Sequence, residues 1–142
     1  MRTKNRRFSD MKKLIYALLT LTLVAFVGCK KDDAKQLDVT TDNLIGTWEI
    51  YKTYDKEDGW DTEYGAKYGY QWQITFRSNG TGTSVEIDED GTDEQDFTYT
   101  VANGTIKLSY GGYTDQIKVK SLTKKELVTG SGDNYAEYFK RK

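Results

Sequence analysis

The chain has 142 residues, which bounds it to a single domain. Residues 1–28 carry six Lys or Arg and one Asp, so the rest of the chain holds 15 basic and 21 acidic side chains, a net charge of −6. A surface of that sign repels phosphate backbones and excludes nucleic acid as a partner. With no histidine and a single cysteine, the chain lacks a nucleophile–base pair, and we expect a protein that is not an enzyme.

The N-terminal segment predicts an export signal that is removed. Lys12 and Lys13 follow Met11, and residues 14–27 are apolar apart from two threonines and one tyrosine. An apolar run of about 14 residues fits the core of a signal peptide and is shorter than the roughly 20 residues that a membrane-spanning helix needs. The basic residues before Met11 are compatible with a start at Met1 or at Met11.

Cys29 follows this apolar run and is the single cysteine, so no intrachain disulfide can form. Phe26-Val27-Gly28-Cys29 resembles the lipobox of bacterial lipoproteins. The resemblance implies a signal peptide over residues 1–28, cleavage before Cys29, and a lipidated tether with a short turn over residues 29–43. Several acyl chains on one residue give a stable membrane anchor. Lys30-Lys31-Asp32-Asp33 resembles the export signal of Bacteroidetes surface lipoproteins, although a solvated linker explains it nearly as well. The implied location is the outer membrane, facing the cell surface or the periplasm.

Residues 44–142 predict an all-β domain. After one helical turn capped by Thr41 or Asp42, apolar and polar side chains alternate in eight segments with the period of two that half-buried strands require. In the first segment, Trp48, Ile50 and Tyr54 share one parity. The predicted strands are residues 46–54, 68–77, 81–88, 93–101, 105–110, 113–120, 126–129 and 135–141. The segment Asp55–Lys67 has no clear period and predicts a loop, and Ser121–Lys125 predicts a turn.

Tight turns join these strands, and no connection is long enough to hold a crossover helix. Strands that are neighbours in sequence must therefore be antiparallel neighbours in the sheet. A meander of eight strands exposes two edges unless it closes on itself. We predict an eight-stranded antiparallel up-and-down β-barrel, whose interior holds side chains or one small ligand.

Gly46-Thr47-Trp48, placed after a polar turn and before a long strand, resembles the Gly-x-Trp motif that opens lipocalins. The resemblance implies that Trp48 lies at the closed end of the barrel beneath an arginine of the last strand, a role that Arg141 is placed to fill. Gly46 lets the preceding turn approach the sheet because it has no Cβ. The domain from Leu44 onward is similar to the small lipocalin-like domains of Bacteroidetes lipoproteins.

Alternate turns of a meander lie at the same end of the barrel. With Trp48 at the closed end, the Asp55–Lys67 loop and the turn over residues 88–93 meet at the open end. Aromatic rings with polar neighbours there stack on small molecules, or else cap the core with their hydroxyls in water. The candidate ligand-binding residues face inward or lie at the open end: Tyr54, Trp60, Tyr64, Trp72, Phe97 and Tyr110.

The acidic segment Asp88–Asp96 offers the oxygen ligands that calcium prefers, but Gly91 comes two places too early for an EF-hand loop. A solvated hairpin is the better interpretation, and neither a metal nor a cofactor is predicted. Asp58 and Glu63 form a carboxylate pair of the kind that glycosidases use. Solvent around a charged loop leaves the acidity of such a pair ordinary, so no catalytic residue is predicted.

Two functions follow from this pattern. The first is a membrane-anchored, lipocalin-like lipoprotein that binds a small apolar or amphipathic ligand at the open end of its barrel. The second is an accessory module with a filled core, which binds another protein of the cell envelope through its outer face or rim. The aromatic loop favours the first function, and the shortness of the strands favours the second.

Overall fold

The computed structural model describes residues 35–142. The predicted signal peptide and Cys29 lie outside the described residues. Within these residues a short helix, α1 (Thr41–Leu44), precedes the sheet, and a 3-10 turn covers Ala66–Tyr68. The strands are β1 (Gly46–Asp55), β2 (Trp60–Glu63), β3 (Gln71–Phe76), β4 (Thr81–Asp88), β5 (Gly91–Ala102), β6 (Thr105–Tyr110), β7 (Tyr113–Leu122), β8 (Glu126–Thr129) and β9 (Tyr135–Arg141).

Strand β1 closes the barrel. It pairs antiparallel with β3 through Trp48 and Ile74, and on its other edge with β9 through Trp48 and Arg141. From β3 to β9 each strand pairs antiparallel with the next in sequence order. Eight strands, β1 and β3–β9, therefore form a closed barrel, which confirms the predicted architecture. Closure satisfies the backbone groups that an open meander would leave at its two edges.

The predicted loop at Asp55–Lys67 is wrong in part, because it contains β2. This strand folds back on the end of β1, with Lys52 opposite Glu63 and Asp55 opposite Trp60. Gly59, in the four-residue connection, has a φ of +66°, a conformation that favours glycine. The segment after Gly59 is too short and too polar to show a period, so its strand could not be predicted from alternation. β2 takes the place of β3 beside β1 at the open end of the barrel.

The helix cap and one turn also differ from the prediction. The N-cap of α1 is Thr40, one residue before Thr41, and its Oγ1 accepts a hydrogen bond from the Asn43 N–H at 3.3 Å. Strand β7 continues through Leu122, so the turn that was predicted at Ser121–Lys125 begins two residues later than predicted. A bulge between Val119 and Ser121 shifts the register, and Leu122 becomes fully buried. The bulge breaks the alternation on which the strand boundary was predicted.

A second bulge changes the inward face of β1. Ile50 lies opposite Phe139 and Lys52 lies opposite Tyr138, so Tyr51 is an extra residue in β1. The extra residue inverts the parity of every position after it. Thr53, at 9% exposure, is the inward residue, and Tyr54 falls on the outer face with Lys52. The prediction that Tyr54 lines the interior is therefore wrong.

The closed half of the barrel is filled by side chains. Phe76 packs edge-to-face against Phe97 at 5.7 Å and against Tyr99 at 5.0 Å between ring centroids. Gly82 lies directly beneath the Phe97 ring, and a Cβ at this position would overlap the ring. The core consists of apolar and aromatic residues at 8% exposure or less: Leu44, Trp48, Ile50, Ile74, Phe76, Phe97, Tyr99, Ile106, Leu108, Val119, Leu122, Leu127 and Phe139.

Candidate functional site

The closed end is sealed by Trp48 and Arg141. The Trp48 ring is fully buried, and its Nε1 donates to the Leu44 carbonyl at 2.8 Å. The Arg141 guanidinium lies over this ring, 4.1 Å from its centroid. Burial lowers the pKa of Arg141 from its ordinary value, and the guanidinium carries its charge at neutral pH. A charged guanidinium on an indole face is a favourable cation–π contact.

Hydrogen bonds fix this guanidinium to three carbonyls in two backbone segments, the segment before β1 and the turn between β7 and β8. Arg141 donates through Nη1 to the Ile45 carbonyl, through Nη2 to the Asn43 carbonyl at 2.7 Å, and through Nε to the Lys124 carbonyl at 2.7 Å. Gly46 has a φ of +130°, and a Cβ there would lie 2.7 Å from Nη1. The glycine therefore makes room for the arginine as well as for the turn. Trp48 and Arg141 therefore fill the base of the barrel and position the core.

The open half of the interior carries aromatic side chains that are only partly buried. Tyr64 and Tyr70 pack together with their ring centroids 5.3 Å apart. Trp72 packs edge-to-face on Phe139 at 5.4 Å, and its Nε1 donates to Ser84 Oγ at 2.8 Å. These rings lie on top of the filled core. We call this set, together with Tyr110 of β6, the aromatic floor: Tyr64, Tyr70, Trp72 and Tyr110.

Carboxylates stand above the aromatic floor on the hairpin of β4 and β5. Glu86 lies opposite Trp72, on the same face of β4 as Ser84, and accepts a short hydrogen bond from the Tyr70 hydroxyl. Burial, with Glu86 as a second cause, raises the pKa of Tyr70 well above its usual range. A cleft of about 340 Å³ at the hairpin tip is lined by Glu86, Asp88, Asp90, Gly91, Thr92 and Asp93. The open end is therefore aromatic below and acidic above.

A second open-end group lies where β9 begins. Glu137 accepts hydrogen bonds from Thr129 Oγ1 at 2.8 Å and from the Tyr135 hydroxyl at 3.2 Å. Burial and the neighbouring Glu137 carboxylate raise the pKa of Tyr135 to about 12. Thr53 Oγ1 lies 3.4 Å from the Tyr64 hydroxyl, which joins the inward face of β1 to the aromatic floor.

The predicted ligand-binding residues do not all meet at this site. Tyr64, Trp72 and Tyr110 belong to the aromatic floor, whereas Tyr54 lies on the outer face because of the bulge at Tyr51. Phe97 is 5% exposed and packed into the core, so it does not line a cup. For Trp60, the structure describes the backbone in β2, and its side chain lies outside the described part of the chain.

Sequence reasoning missed Tyr70, Ser84 and Glu86 as site residues. Tyr70 and Trp72 share a parity in the sequence, which was a usable signal. Ser84 and Glu86 have no apolar character and so gave no sign of an inward face. Gly82 faces the buried ring of Phe97, and Ser84 and Glu86 lie two and four positions further along β4, so they share its inward face. That relationship depends on the pairing of two strands and cannot be read from β4 alone.

The acidic hairpin does not form a metal centre in the described chain. Among residues 35–142, no three carboxylates are grouped closely enough to hold a metal ion. Asp88 Oδ1 instead accepts hydrogen bonds from the backbone N–H groups of Asp90 and Gly91, which shapes the turn. Within the same residues, no helix is both long and apolar enough to cross a membrane.

Comparison with known proteins gives a family and a fold. The sequence model of a family described as a lipocalin-like domain matches residues 44–129. A lipocalin-like protein from Bacteroides uniformis ATCC 8492 has a similar structure, with a TM-score of 0.57 and 15% identity over 70% of this chain and 99% of that one. An uncharacterized protein from Bacteroides eggerthii DSM 20697 has a TM-score of 0.55 and 12% identity over the same shares. No curated protein matches the chain significantly.

Proposed function

Because this chain belongs to the lipocalin-like domain family, we propose that its barrel binds a small amphipathic molecule at the open end. The observation that carries the proposal is the aromatic floor, four rings that pack on the core and remain partly exposed. Exposed aromatic rings above a rigid, filled core offer an apolar surface whose binding costs little conformational entropy. Because the closed half is full, the ligand is held in a shallow cup and not in a deep calyx.

The carboxylates above the floor narrow the class of ligand. Glu86, Asp88 and Asp93 border the cleft beside Tyr70, and an anionic head group placed there would be repelled. A hydroxyl or an ammonium group would donate hydrogen bonds to the same oxygens. The ligand therefore combines an apolar body for the aromatic floor with a neutral or cationic head group for the hairpin.

Three amphiphiles of one chain length test this proposal: dodecylamine, dodecanol and dodecanoate. At pH 7, titration followed by isothermal calorimetry should give measurable binding for the amine and the alcohol. Binding of the carboxylate should be weaker by about tenfold or more, which corresponds to about 1.4 kcal/mol of repulsion. Absence of binding for all three amphiphiles would reject the cup as a ligand site, and preference for dodecanoate would reject the assigned role of the carboxylates.

We propose that the protein is anchored as a lipoprotein through Cys29 and is not an enzyme. Gly28-Cys29 after an apolar run supports the anchor, which would hold the barrel at the outer membrane. Replacing Cys29 by Ala should leave an unprocessed and unlipidated form. Metabolic labelling with a fatty-acid analogue distinguishes the two forms, and normal processing of the variant would contradict the proposal.

One observation favours a second function, an accessory module of an envelope complex. Strand β5 pairs with β6 only from Thr98 onward, so among residues 35–142 the segment 91–97 has a strand partner, β4, on one edge alone. An unpaired edge accepts an added strand from another protein. Asp96→Pro would block such pairing, because proline removes a backbone donor. Capture of an envelope partner by the wild type and its loss with this variant would favour the second function.

A further inference from the structure

The described chain begins at the closed end of the barrel. The Leu37 N–H donates to the Leu122 carbonyl at 2.7 Å, and Ser121 Oγ donates to the Gln36 side chain at 2.9 Å. Leu37 and Val39 pack against the core beneath the barrel. These contacts hold residues 36–39 beside the C-terminal end of β7, just before the turn that leads to β8. The tether therefore leaves the domain at the end opposite the aromatic floor.

The tether is short. Cys29 lies six positions before Lys35, and six residues span at most about 20 Å when fully extended. Strand β5, with 12 residues, is about 40 Å long by the rise of an extended strand. An anchor at Cys29 therefore keeps the closed end close to the bilayer, while the tip of the β4–β5 hairpin can lie well away from it.

The exposed charges of the barrel also distinguish its closed end from its open end. The closed-end turns and the strand residues beside them expose Arg77, Lys107, Lys118, Lys124 and Lys125, together with Lys35 of the tether. The carboxylates exposed near them include Asp38 and Asp42. The open-end turns expose mostly the opposite charge, with Lys56 and Lys67 as exposed basic residues beside the carboxylates of Glu57, Asp58, Asp88, Glu89, Asp90 and Asp133. The barrel is thus basic at the end from which the tether leaves and acidic at the other.

We propose that the closed end rests on the anionic lipid surface of the membrane that holds Cys29, so that the cup opens away from the bilayer. This inference rests on the proposed anchoring at Cys29. Lysine and arginine near an anionic leaflet are attracted to it, and the acidic rim is repelled by the same field. Tether and charge therefore favour one orientation. A ligand then enters the cup from the aqueous side and not directly from the lipid.

Two single-cysteine variants test the orientation in the full, acylated protein. Acylation blocks the thiol of Cys29, so Ser78→Cys at the closed end and Thr92→Cys at the open end each supply one free thiol for a fluorophore. Both positions are exposed, and both changes are close in size. In phosphatidylglycerol vesicles that contain a headgroup-linked nitroxide, we expect the label at residue 78 to be quenched several-fold more strongly than the label at residue 92. Equal or reversed quenching overturns the orientation.

Reversing the charge of two closed-end lysines separates the effect of the tether from the effect of attraction to anionic lipid. Lys124→Glu with Lys125→Glu should reduce the difference in quenching, and the matched open-end pair, Lys56→Glu with Lys67→Glu, should not reduce it. If the closed-end pair has no effect, contact with anionic lipid is overturned. If the protein remains in the soluble fraction, the proposed anchor at Cys29 is wrong. If the protein binds vesicles but the label at residue 92 is quenched more strongly, the anchor stands and the orientation is wrong. If residue 78 is shielded only when a second protein is present, the closed end docks on that protein and the lipid surface is excluded.

Discussion

Arg141 lies over the ring of Trp48 with its guanidinium carbon 4.1 Å from the ring centroid, and the same guanidinium donates to three backbone carbonyls, those of Asn43, Ile45 and Lys124. The two residues are partners across the seam between β1 and β9, where the barrel closes. One side chain therefore links the first strand, the last strand and the segment before β1. Loss of this contact should affect the whole barrel and not one end only.

Replacing Arg141 by Ala should lower the free energy of unfolding by about 2–4 kcal/mol, because the carbonyl oxygens of Asn43 and Ile45 lose their donor. Arg141→Lys should recover only part of this loss, since an ammonium group cannot reproduce the planar fork. Urea unfolding measures both values. Lys140→Ala, on the neighbouring exposed position, is the control and should cost less than about 1 kcal/mol. A neutral Arg141→Ala would show that the closed end does not depend on this residue.

Gly82 and Phe97 are coupled by packing. A Cβ at residue 82 would overlap the Phe97 ring and would lie 2.5 Å from the Thr75 carbonyl oxygen, so we expect Gly82→Ala to destabilise the protein by about 1–3 kcal/mol. Phe97→Leu alone leaves a void and should also destabilise it. The double variant should be more stable than the sum of the two single effects, because the smaller side chain removes the overlap with the ring, whereas the close contact with the Thr75 carbonyl oxygen remains and keeps the recovery partial. Strict additivity in urea unfolding would argue against the contact.

Tyrosine ionisation should set the stability of the protein in alkaline solution. Burial and Glu137 raise the pKa of Tyr135 from its ordinary value of 10 to about 12 in the folded state. Between these two values the unfolded chain releases the proton and the folded protein keeps it, so stability falls as the pH rises. Burial also raises the pKa of Tyr70 and of Tyr51, which adds to the same slope.

The contribution of the protonated Tyr135 to the free energy of unfolding should be fully present below about pH 10 and should be lost as the pH rises through about 12. Urea midpoints measured across this range, with tyrosinate absorbance followed in parallel, provide the test. Tyr135→Phe removes one titrating group, so its stability should fall less steeply than that of the wild type. A profile that does not change between pH 9 and pH 12 would contradict the assignment.

The bulge in β1 gives a matched pair of variants for ligand binding. Tyr70 belongs to the aromatic floor and Tyr54 lies on the outer face. Tyr70→Ala should weaken dodecylamine binding by about tenfold, a loss of about 1.4 kcal/mol, and Tyr54→Ala should leave it unchanged. Calorimetric titration measures both. If Tyr54→Ala weakened binding as much as Tyr70→Ala, the ligand would lie on the outer wall.

The sequence allowed the barrel to be predicted because most of its strands alternate without interruption. Trp48, Ile74, Phe76, Ile106 and Leu108 occupy apolar positions of this alternation, and all are buried. The alternation failed where a bulge inserts one residue, at Tyr51 and before Ser121. A bulge is defined by the partner strand, and so it leaves no local mark in the sequence.

The candidate site was predicted less completely than the fold. Trp72 was identified because it continues an apolar alternation, whereas Ser84 and Glu86 are polar and were invisible to the same reasoning. Phe97 was expected to bind a ligand, but Gly82 lies opposite it and has no side chain, so the Phe97 ring packs into the core. Whether an inward aromatic residue fills the barrel or lines a cavity depends on the size of the residue across from it.

The most direct test of the proposed cup is a titration of 15N-labelled protein with dodecylamine, followed in two-dimensional NMR spectra. We expect the largest chemical-shift changes at the Trp72 indole N–H and at the backbone amides of Tyr64, Tyr70, Glu86 and Tyr110. The Trp48 indole N–H, which is buried at the closed end, should not move. Changes confined to the outer face, or no changes at saturating amphiphile, would contradict a ligand site at the open end of the barrel.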